Sequence, residues 1–322
     1  MSRGREYFLQ FLLAAVSLVV CLAAAEGVLR LKNSSQQNYD IEMWRYAKEL
    51  KTPSDIEVLG HEHLPSREAT LQNTQIRINA EGLRGAPVDL DRHGKRRILF
   101  LGSSITLGWG VPESETVTSR LQAMFKRDGE DVQVLNAGIG NYNAERYVER
   151  FLRRLTQLQP TDIVIHYFLR DAETLEAGGG NFLLRHSELA VTLWQAYQVM
   201  RGGGGESGLE AHYRAVYDPN ARGYREMLAS LDRLKDYAAA HKIRVHLAMQ
   251  PDVHNLTNYP FKYIHERLAE ISRARNFRYV DLLPAFEGQT PQKIWAMAGD
   301  PHPNAFGHKL MADAIYPVLK SE

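Results

Sequence analysis

The sequence predicts a three-layer α/β fold, in which helices cover both faces of a mostly parallel sheet. The first observation is that short apolar runs alternate with longer amphipathic segments from residue 97 onward. The second is that these runs are apolar throughout, which is typical of strands buried on both faces of a parallel sheet. The third is that each interval between two runs is long enough for a crossover helix.

Five strands and five helices are predicted from this pattern. The strands are RILFL (97–101), VQVLN (132–136), DIVIHYFL (162–169), IRVHLAM (243–249) and RYVDL (278–282). The helices are residues 115–127, 144–158, 224–241, 263–274 and 304–320. Open sheets of this kind bind ligands beyond the carboxyl ends of their strands, so we expect the chemistry in the loops that follow the strands.

Composition excludes several classes of function. Of the 322 residues, 44% are hydrophobic and 24% charged, as in an ordinary globular chain. The formal net charge is +1 and no dense block of Lys and Arg occurs, so we expect no nucleic-acid partner. Histidines and carboxylates are not spaced as metal ligands, so we expect neither a metal nor another cofactor.

An apolar segment at residues 7–25 predicts contact with a membrane. As a helix it would be about 28 Å long, which is enough to cross a bilayer. Arg3 and Arg5 precede it as a basic region, while the small residues 23–25 would also suit a signal-peptidase site. We favour an uncleaved signal anchor at residues 1–32, because the apolar run is longer than the core of most signal peptides. Secretion after cleavage of a signal peptide is the alternative.

Two further regions complete the predicted organisation. Residues 33–95 are expected to form an irregular lead-in with one short helix within the stretch YDIEMWRYAKELK. Residues 96–322 are expected to form the main domain.

GSSIT, residues 102–106, places two serines directly after the first predicted strand. A serine at such a turn can expose its hydroxyl and leave its backbone N–H free to face an anion, as an acyl-transfer nucleophile requires. Serine is also a favoured helix N-cap, so Ser103 or Ser104 would equally suit the capping of the next helix.

The loops after the second and third strands carry glycines, amides and charges. In NAGIGNYN, residues 136–143, glycine and asparagine tolerate positive φ, so the turn can direct backbone N–H groups at one point. FLRDAE, residues 168–173, places Arg170 and Asp171 at the end of a strand, where a surface ion pair is the simplest interpretation.

A histidine and a carboxylate precede the last predicted helix. Asp300 and His302 are separated by a single proline in GDPHPN. A carboxylate this near can orient one imidazole nitrogen and leave the other as a general base, which is the partner that a nucleophilic serine needs. His308 lies within the predicted helix, where we expect it to pack or to face solvent.

In their order, these four blocks resemble those of the SGNH hydrolases, also called the GDSL family. GSSIT resembles the Gly-Asp-Ser block, NAGIGN the glycine block, FLRD the Gly-x-Asn-Asp block and DPH the terminal Asp-x-x-His block. The resemblance covers residues 96–320 and implies a flavodoxin-like sheet of five strands. YDIEMWRYAKELK and INAEGLRG are similar to segments of bacterial membrane-anchored members, which implies a single-pass chain with its catalytic domain on the periplasmic side of the membrane.

The resemblance also implies a catalytic role for three residues. Ser104 would be the nucleophile, His302 the base and Asp300 the carboxylate that orients the base. Ser103 stands where the family has an aspartate. The last block is one residue shorter than the family's.

The oxyanion hole implied by the resemblance includes one departure from the family. Its donors would be the backbone N–H of Ser104, a backbone N–H at Gly140 or Asn141, and the side chain at position 170. Arg170 stands where the family has an asparagine, so it either loses this donor or supplies a charged one. A third possibility is that the amide of Asn141 or Asn143 takes over.

These residues imply a serine esterase that hydrolyses a small acyl ester through an acyl-enzyme. The expected substrate is an acetyl ester on a glycan or lipid of the cell envelope. One alternative is an O-acyltransferase that uses the same serine and passes the acyl group to a sugar hydroxyl. The other is a catalytically silent scaffold or glycan-binding protein of this fold, which the departures at Ser103 and Arg170 keep open.

Overall fold

A five-stranded parallel sheet forms the centre of the structure, a computed structural model that describes residues 3–175, 182–201, 206–297 and 300–321. The strands β1 to β11 are Lys51–Pro53, His61–His63, Arg67–Leu71, Thr74–Ile78, Arg96–Gly102, Val132–Asn136, Asp162–Tyr167, Arg244–Met249, Arg278–Asp281, Trp295–Met297 and Asp300–Pro303. The helices α1 to α13 are Arg3–Asn33, Tyr39–Leu50, Ser104–Leu107, Val117–Arg127, Ala144–Arg150, Phe182–His186, Glu188–Arg201, Glu206–Val216, Arg222–His241, Lys262–Ala274, Leu283–Phe286, Pro291–Ile294 and Ala305–Lys320.

The central sheet has the strand order β6-β5-β7-β8-β9, and each pair of adjacent strands in it is parallel. Alternate residues of β5 enter opposite apolar layers, since side chains of a strand point in turn to either face. Ile98 and Phe100 pack with residues of α4 and α13. Leu99 and Leu101 pack with residues of α5, α9 and α10. The three-layer α/β prediction, with its five strands, is confirmed.

Helix α5 is shorter than the sequence pattern predicts. It ends at Arg150, and the chain continues as a π-helical turn, Phe151–Leu155, and a 3-10 turn, Thr156–Leu158. The apolar periodicity extends across all three pieces because they bury the same side towards the sheet, so it does not reveal the change in winding.

The lead-in is more regular than predicted, because residues 51–78 form two hairpins. Strand β1 pairs with β2, and β3 pairs with β4. The β3–β4 turn consists of Gln72 and Asn73, whose φ angles are 49° and 55°. Two successive residues with positive φ match the right-handed twist of a hairpin. Burial alternates strictly along β4, so TQIRI carries the period-2 pattern of a half-buried strand.

The chain divides into two compact units. Residues 46–178 and 204–322 form the larger unit, which contains the sheet, and residues 1–45 and 179–203 form the smaller unit. Within the smaller unit, the carboxylate of Glu26 in α1 accepts hydrogen bonds from Ser187 Oγ and from the backbone N–H groups of Glu188 and Leu189, at the start of α7. Among the described helices, α1 is the one that is long and apolar enough to cross a membrane.

Candidate active site

Ser104 lies just beyond the carboxyl end of β5. The strand ends at Gly102, Ser103 is the N-cap residue of α3, and Ser104 is the first residue of that helix. Ser103 is buried and its side chain makes no capping hydrogen bond, whereas Ser104 is half-buried. Gly108, in the left-handed conformation, ends the helix after one turn. The turn therefore leaves the Ser104 side chain accessible and keeps Ser103 inside.

His302 lies next to Ser104, although it comes from the opposite end of the domain in the sequence. Its strand β11 pairs antiparallel with β10. Asn304 fixes the chain that follows, since its Oδ1 caps α13 and its Nδ2 donates to Lys293 O at 2.8 Å. His302 Nε2 lies 2.8 Å from Ser104 Oγ. When Nε2 carries no proton, the serine O–H donates to it, which is the arrangement that a general base requires.

Asp300 begins strand β11, two residues before His302. In the register of the hairpin its backbone lies opposite Met297. The side chain of Asp300 lies outside the part of the chain that the structure describes. Its role as the carboxylate that orients His302 stays a prediction.

The turn after β6 packs directly against the helix that carries Ser104. Asn136 holds the turn, because its Nδ2 donates to Thr106 O at 2.7 Å and its Oδ1 accepts from the Gly138 N–H at 3.0 Å. A Cβ added at Gly138 would lie 2.2 Å from the backbone nitrogen of Leu107. Only glycine therefore allows the turn to come this close to α3.

Of the predicted oxyanion donors in this turn, Asn141 has the available N–H group. The Gly140 N–H donates to Tyr46 Oη at 3.0 Å and is engaged away from the serine. Asn141 is exposed, has a φ of 64°, and its N–H has no hydrogen-bond partner among the described residues. Asn143 is buried, caps α5, and its Nδ2 donates to Glu173 O at 2.8 Å.

Arg170 and Asp171 have different surroundings, so they do not form the surface ion pair that is the simplest interpretation of FLRD. Arg170 is exposed, and its Nε donates to Glu173 Oε2 at 3.1 Å. Asp171 is buried, and its Oδ2 accepts from the Phe168 N–H at 3.0 Å. Burial raises the pKa of Asp171 to about 8. The carboxyl group of Asp171 is therefore mostly protonated at neutral pH.

Two buried histidines lie near the site without replacing His302. His308, a residue of α13, is buried, as expected, and its Nδ1 accepts from the Val117 N–H at 3.0 Å. His166 Nδ1 lies 3.2 Å from Thr106 Oγ1, beside the turn that carries Ser104. Burial lowers the pKa of His166 to about 4 and that of His308 well below its usual value, so both are neutral at pH 7.

Three lead-in residues that the sequence pattern does not predict contact the turn after β6. Tyr46, Lys51 and His61 each form a hydrogen bond with Gly140, from 94, 89 and 79 positions away. No local pattern signals such contacts, because they depend on where the lead-in packs.

A cavity of about 570 Å³ opens at the carboxyl ends of β8 and β9, the edge of the sheet at which Ser104 also lies. Charged, polar and apolar side chains line it together. Its lining residues are Leu256, Thr257, Tyr259, Lys262, Leu283, Glu287, Gly288, Gln289, Thr290 and Pro291.

Comparison with known proteins places most of the chain within one family model. The model described as the GDSL-like lipase/acylhydrolase family matches residues 100–310. No curated protein matches the chain.

Several solved structures are similar to the chain at low sequence identity. The structure of TesA is 16% identical, with 70% of this chain and 99% of that chain covered and a TM-score of 0.46. The psychrotrophic esterase EstA from Pseudoalteromonas sp. is 18% identical, with 70% and 98% covered and a TM-score of 0.44. A catalytic mutant of Axe2, an acetylxylan esterase from Geobacillus stearothermophilus, is 15% identical, with 69% and 93% covered and a TM-score of 0.46.

Proposed function

We propose that this chain, which belongs to the GDSL-like lipase/acylhydrolase family and is an SGNH-type ester hydrolase, cleaves a small acyl ester through an acyl-enzyme on Ser104. The observation that carries the proposal is the 2.8 Å separation between Ser104 Oγ and His302 Nε2. A serine hydroxyl is a weak nucleophile unless a base lies within hydrogen-bond reach. His302 is the base that meets this condition.

The reaction proceeds in two steps that use the same pair of residues. In the first, His302 Nε2 takes the proton of Ser104 Oγ as that oxygen attacks the acyl carbonyl, and then returns the proton to the departing alcohol. In the second, water attacks the acyl carbonyl and gives a proton to His302, which passes it to Ser104 Oγ as the bond between that oxygen and the acyl carbon breaks and the carboxylic acid leaves. Asp300 holds the tautomer of His302 in this scheme.

Backbone N–H groups stabilise the negative charge that develops on the carbonyl oxygen in the tetrahedral intermediate. We assign these donors to Ser104 and Asn141, because the Gly140 N–H is bonded to Tyr46. Loss of one such donor costs about 2.7–4 kcal/mol of transition-state stabilisation, so the identity of the second donor matters for the rate. Arg170 acts outside the hole in this assignment, since it is exposed and bonded to Glu173.

The substrate in this proposal is an acetyl ester on a carbohydrate or lipid of the cell envelope. Helix α1 supports the location, because it has the length and composition of a membrane span. We propose that it anchors the chain and leaves the catalytic domain on the periplasmic side. The described residues that line the cavity at the ends of β8 and β9 do not include Ser104 or His302, so in this proposal the cavity receives a part of the substrate away from the scissile ester.

Hydrolysis of an aryl acetate by the full chain in detergent tests the reaction. Ser104→Ala is expected to abolish the activity, and Ser103→Ala, the same change one position earlier, to retain most of it. Equal rates for Ser104→Ala and the parent would overturn the mechanism. Addition of a sugar acceptor separates hydrolysis from transfer, because acyl product formed at the expense of free acid would identify an O-acyltransferase.

A further inference from the structure

Two lead-in side chains form hydrogen bonds with the peptide group between Gly140 and Asn141. Lys51 Nζ donates to Gly140 O at 2.7 Å, and His61 Nε2 lies 3.0 Å from the same oxygen. Because a carbonyl oxygen can only accept, this His61 nitrogen carries the proton. The Gly140 oxygen therefore receives two donors from strands β1 and β2. We call Tyr46, Lys51 and His61 the Gly140 clamp.

The backbone N–H of Gly140 is also hydrogen-bonded to the lead-in. Its N–H donates to Tyr46 Oη at 3.0 Å, so the phenol hydrogen is free to donate to His63 Nε2, 2.7 Å away. His63 Nδ1 then donates to Gly82 O at 3.0 Å. Tyr46 and His63 are both buried, so this chain of hydrogen bonds is shielded from water.

The clamp also depends on the absence of a side chain at Gly140. A Cβ at this position would lie 2.7 Å from Cε1 of the Tyr46 ring. The ring in turn lies beneath Lys51, whose Nζ is 4.3 Å from the ring centroid. Ring, ammonium group and turn thus form one packed unit, in which the Gly140 carbonyl has little freedom to rotate.

The carbonyl of Gly140 and the N–H of Asn141 belong to the same planar amide. Donors on the oxygen withdraw electron density from the amide and make its N–H a stronger donor, most of all when one of them is an ammonium group. The Asn141 N–H has no partner among the described residues and is the donor that the proposed mechanism assigns to the oxyanion hole.

We infer that Lys51 is a positioning residue, which with His61 fixes and polarises the Gly140–Asn141 amide so that its N–H stabilises the oxyanion formed at Ser104. The lead-in is then part of the catalytic apparatus rather than a spacer between the anchor and the domain. This inference rests on the proposed function, because it names how one donor of that same site is supported.

Burial and neighbouring charges set the protonation states of Lys51 and His61. Burial and the neighbouring Arg146 lower the pKa of Lys51 to about 7. Burial and the charge of Lys51 lower the pKa of His61 to about 3. His61 is therefore neutral, and Lys51 keeps N–H donors in either protonation state.

The kinetics of full-length variants on an aryl acetate test the inference. Lys51→Gln is expected to lower kcat about tenfold with KM changed less than twofold, since it weakens a donor that acts in the transition state. Lys51→Arg, which keeps a cationic donor, is expected to restore more than half of the parent kcat. Lys48→Gln, a change at an exposed lysine of the same lead-in, is the matched control and is expected to behave as the parent.

A second variant guards against a folding defect. If Lys51→Gln lowers the melting temperature markedly, His61→Phe, which removes the other donor but keeps a ring, is expected to show the same loss in kcat at constant KM. A parent-like kcat in Lys51→Gln or in a well-folded His61→Phe overturns the inference. An active Ser104→Ala variant overturns the proposed function instead, so the two failures are distinguishable.

Discussion

Ser104 Oγ lies 2.8 Å from His302 Nε2, although 198 positions separate the two residues. The serine follows β5 and the histidine precedes α13. Residues of α13 pack with β5 and α4 in one apolar layer of the sheet, and this packing brings the end of the domain back to its beginning. The pair is therefore a product of the three-layer fold and not of either motif.

Replacement of His302 tests its role as the general base for Ser104. We expect His302→Ala to lower kcat by at least about 10³-fold, because the serine loses the group that takes its proton. The measurement is aryl acetate hydrolysis by the full chain. His93→Ala, at an exposed histidine, is the matched control and is expected to retain parent activity. Comparable losses in both variants would contradict a specific role for His302.

Asn141→Gly separates the backbone donor from the side-chain amide at this position. Since φ is 64°, glycine fits without strain and keeps the N–H while removing the amide. We expect kcat and the melting temperature to stay within about twofold and a few degrees of the parent. A loss of about 10²-fold or more would show instead that the Asn141 amide is the oxyanion donor.

Arg170→Asn tests the departure from the family's asparagine. The ion pair of the exposed Arg170 with Glu173 is screened by solvent, and an amide at this position adds a donor of the type that the family uses. We expect kcat to rise by a few-fold, below the full value of about 10² for one donor. Arg214→Asn, which breaks an exposed ion pair with Glu210, serves as the control. A large fall in kcat would assign the guanidinium a direct part in the reaction.

The buried carboxyl group of Asp171 predicts a pH dependence of stability. Because its pKa is raised to about 8 in the folded chain, the folded state binds more protons than the unfolded state between the usual carboxyl pKa and pH 8. Its contribution to stability is complete at acid pH and is lost as the pH rises towards 8. Asp171→Asn, which mimics the protonated form, is expected to gain in melting temperature relative to the parent between pH 5 and pH 8.

Asp218→Asn, at an exposed aspartate, is the control for that titration and is expected to show no such trend. A melting-temperature difference between Asp171→Asn and the parent that is constant with pH would show that Asp171 is ionised in the folded chain.

The sheet and the order of the blocks along the chain could be predicted from the sequence. Strands buried on both faces have continuous apolar runs, and parallel strands place their following loops at one edge, so RILFL and DIVIHYFL were sufficient to locate the edge that holds the serine. Residue type left Ser103 and Ser104 as alternatives, and the resemblance of their blocks to those of the SGNH family assigned Ser104 as the nucleophile and His302 as the base. Both inferences use information that is local in the chain.

The support of the site depends on contacts between elements that are distant in the sequence. The contacts of Gly140 with Tyr46 and Lys51 join residues about 90 positions apart, and the burial of Asp171 beside an exposed Arg170 depends on which way a short turn faces. Neither is encoded in a period or a spacing, because a hydrogen bond across the fold depends on how separate elements pack. The sequence therefore predicts the reacting groups, and the packing of the lead-in against the turn after β6 shows what holds that turn in place.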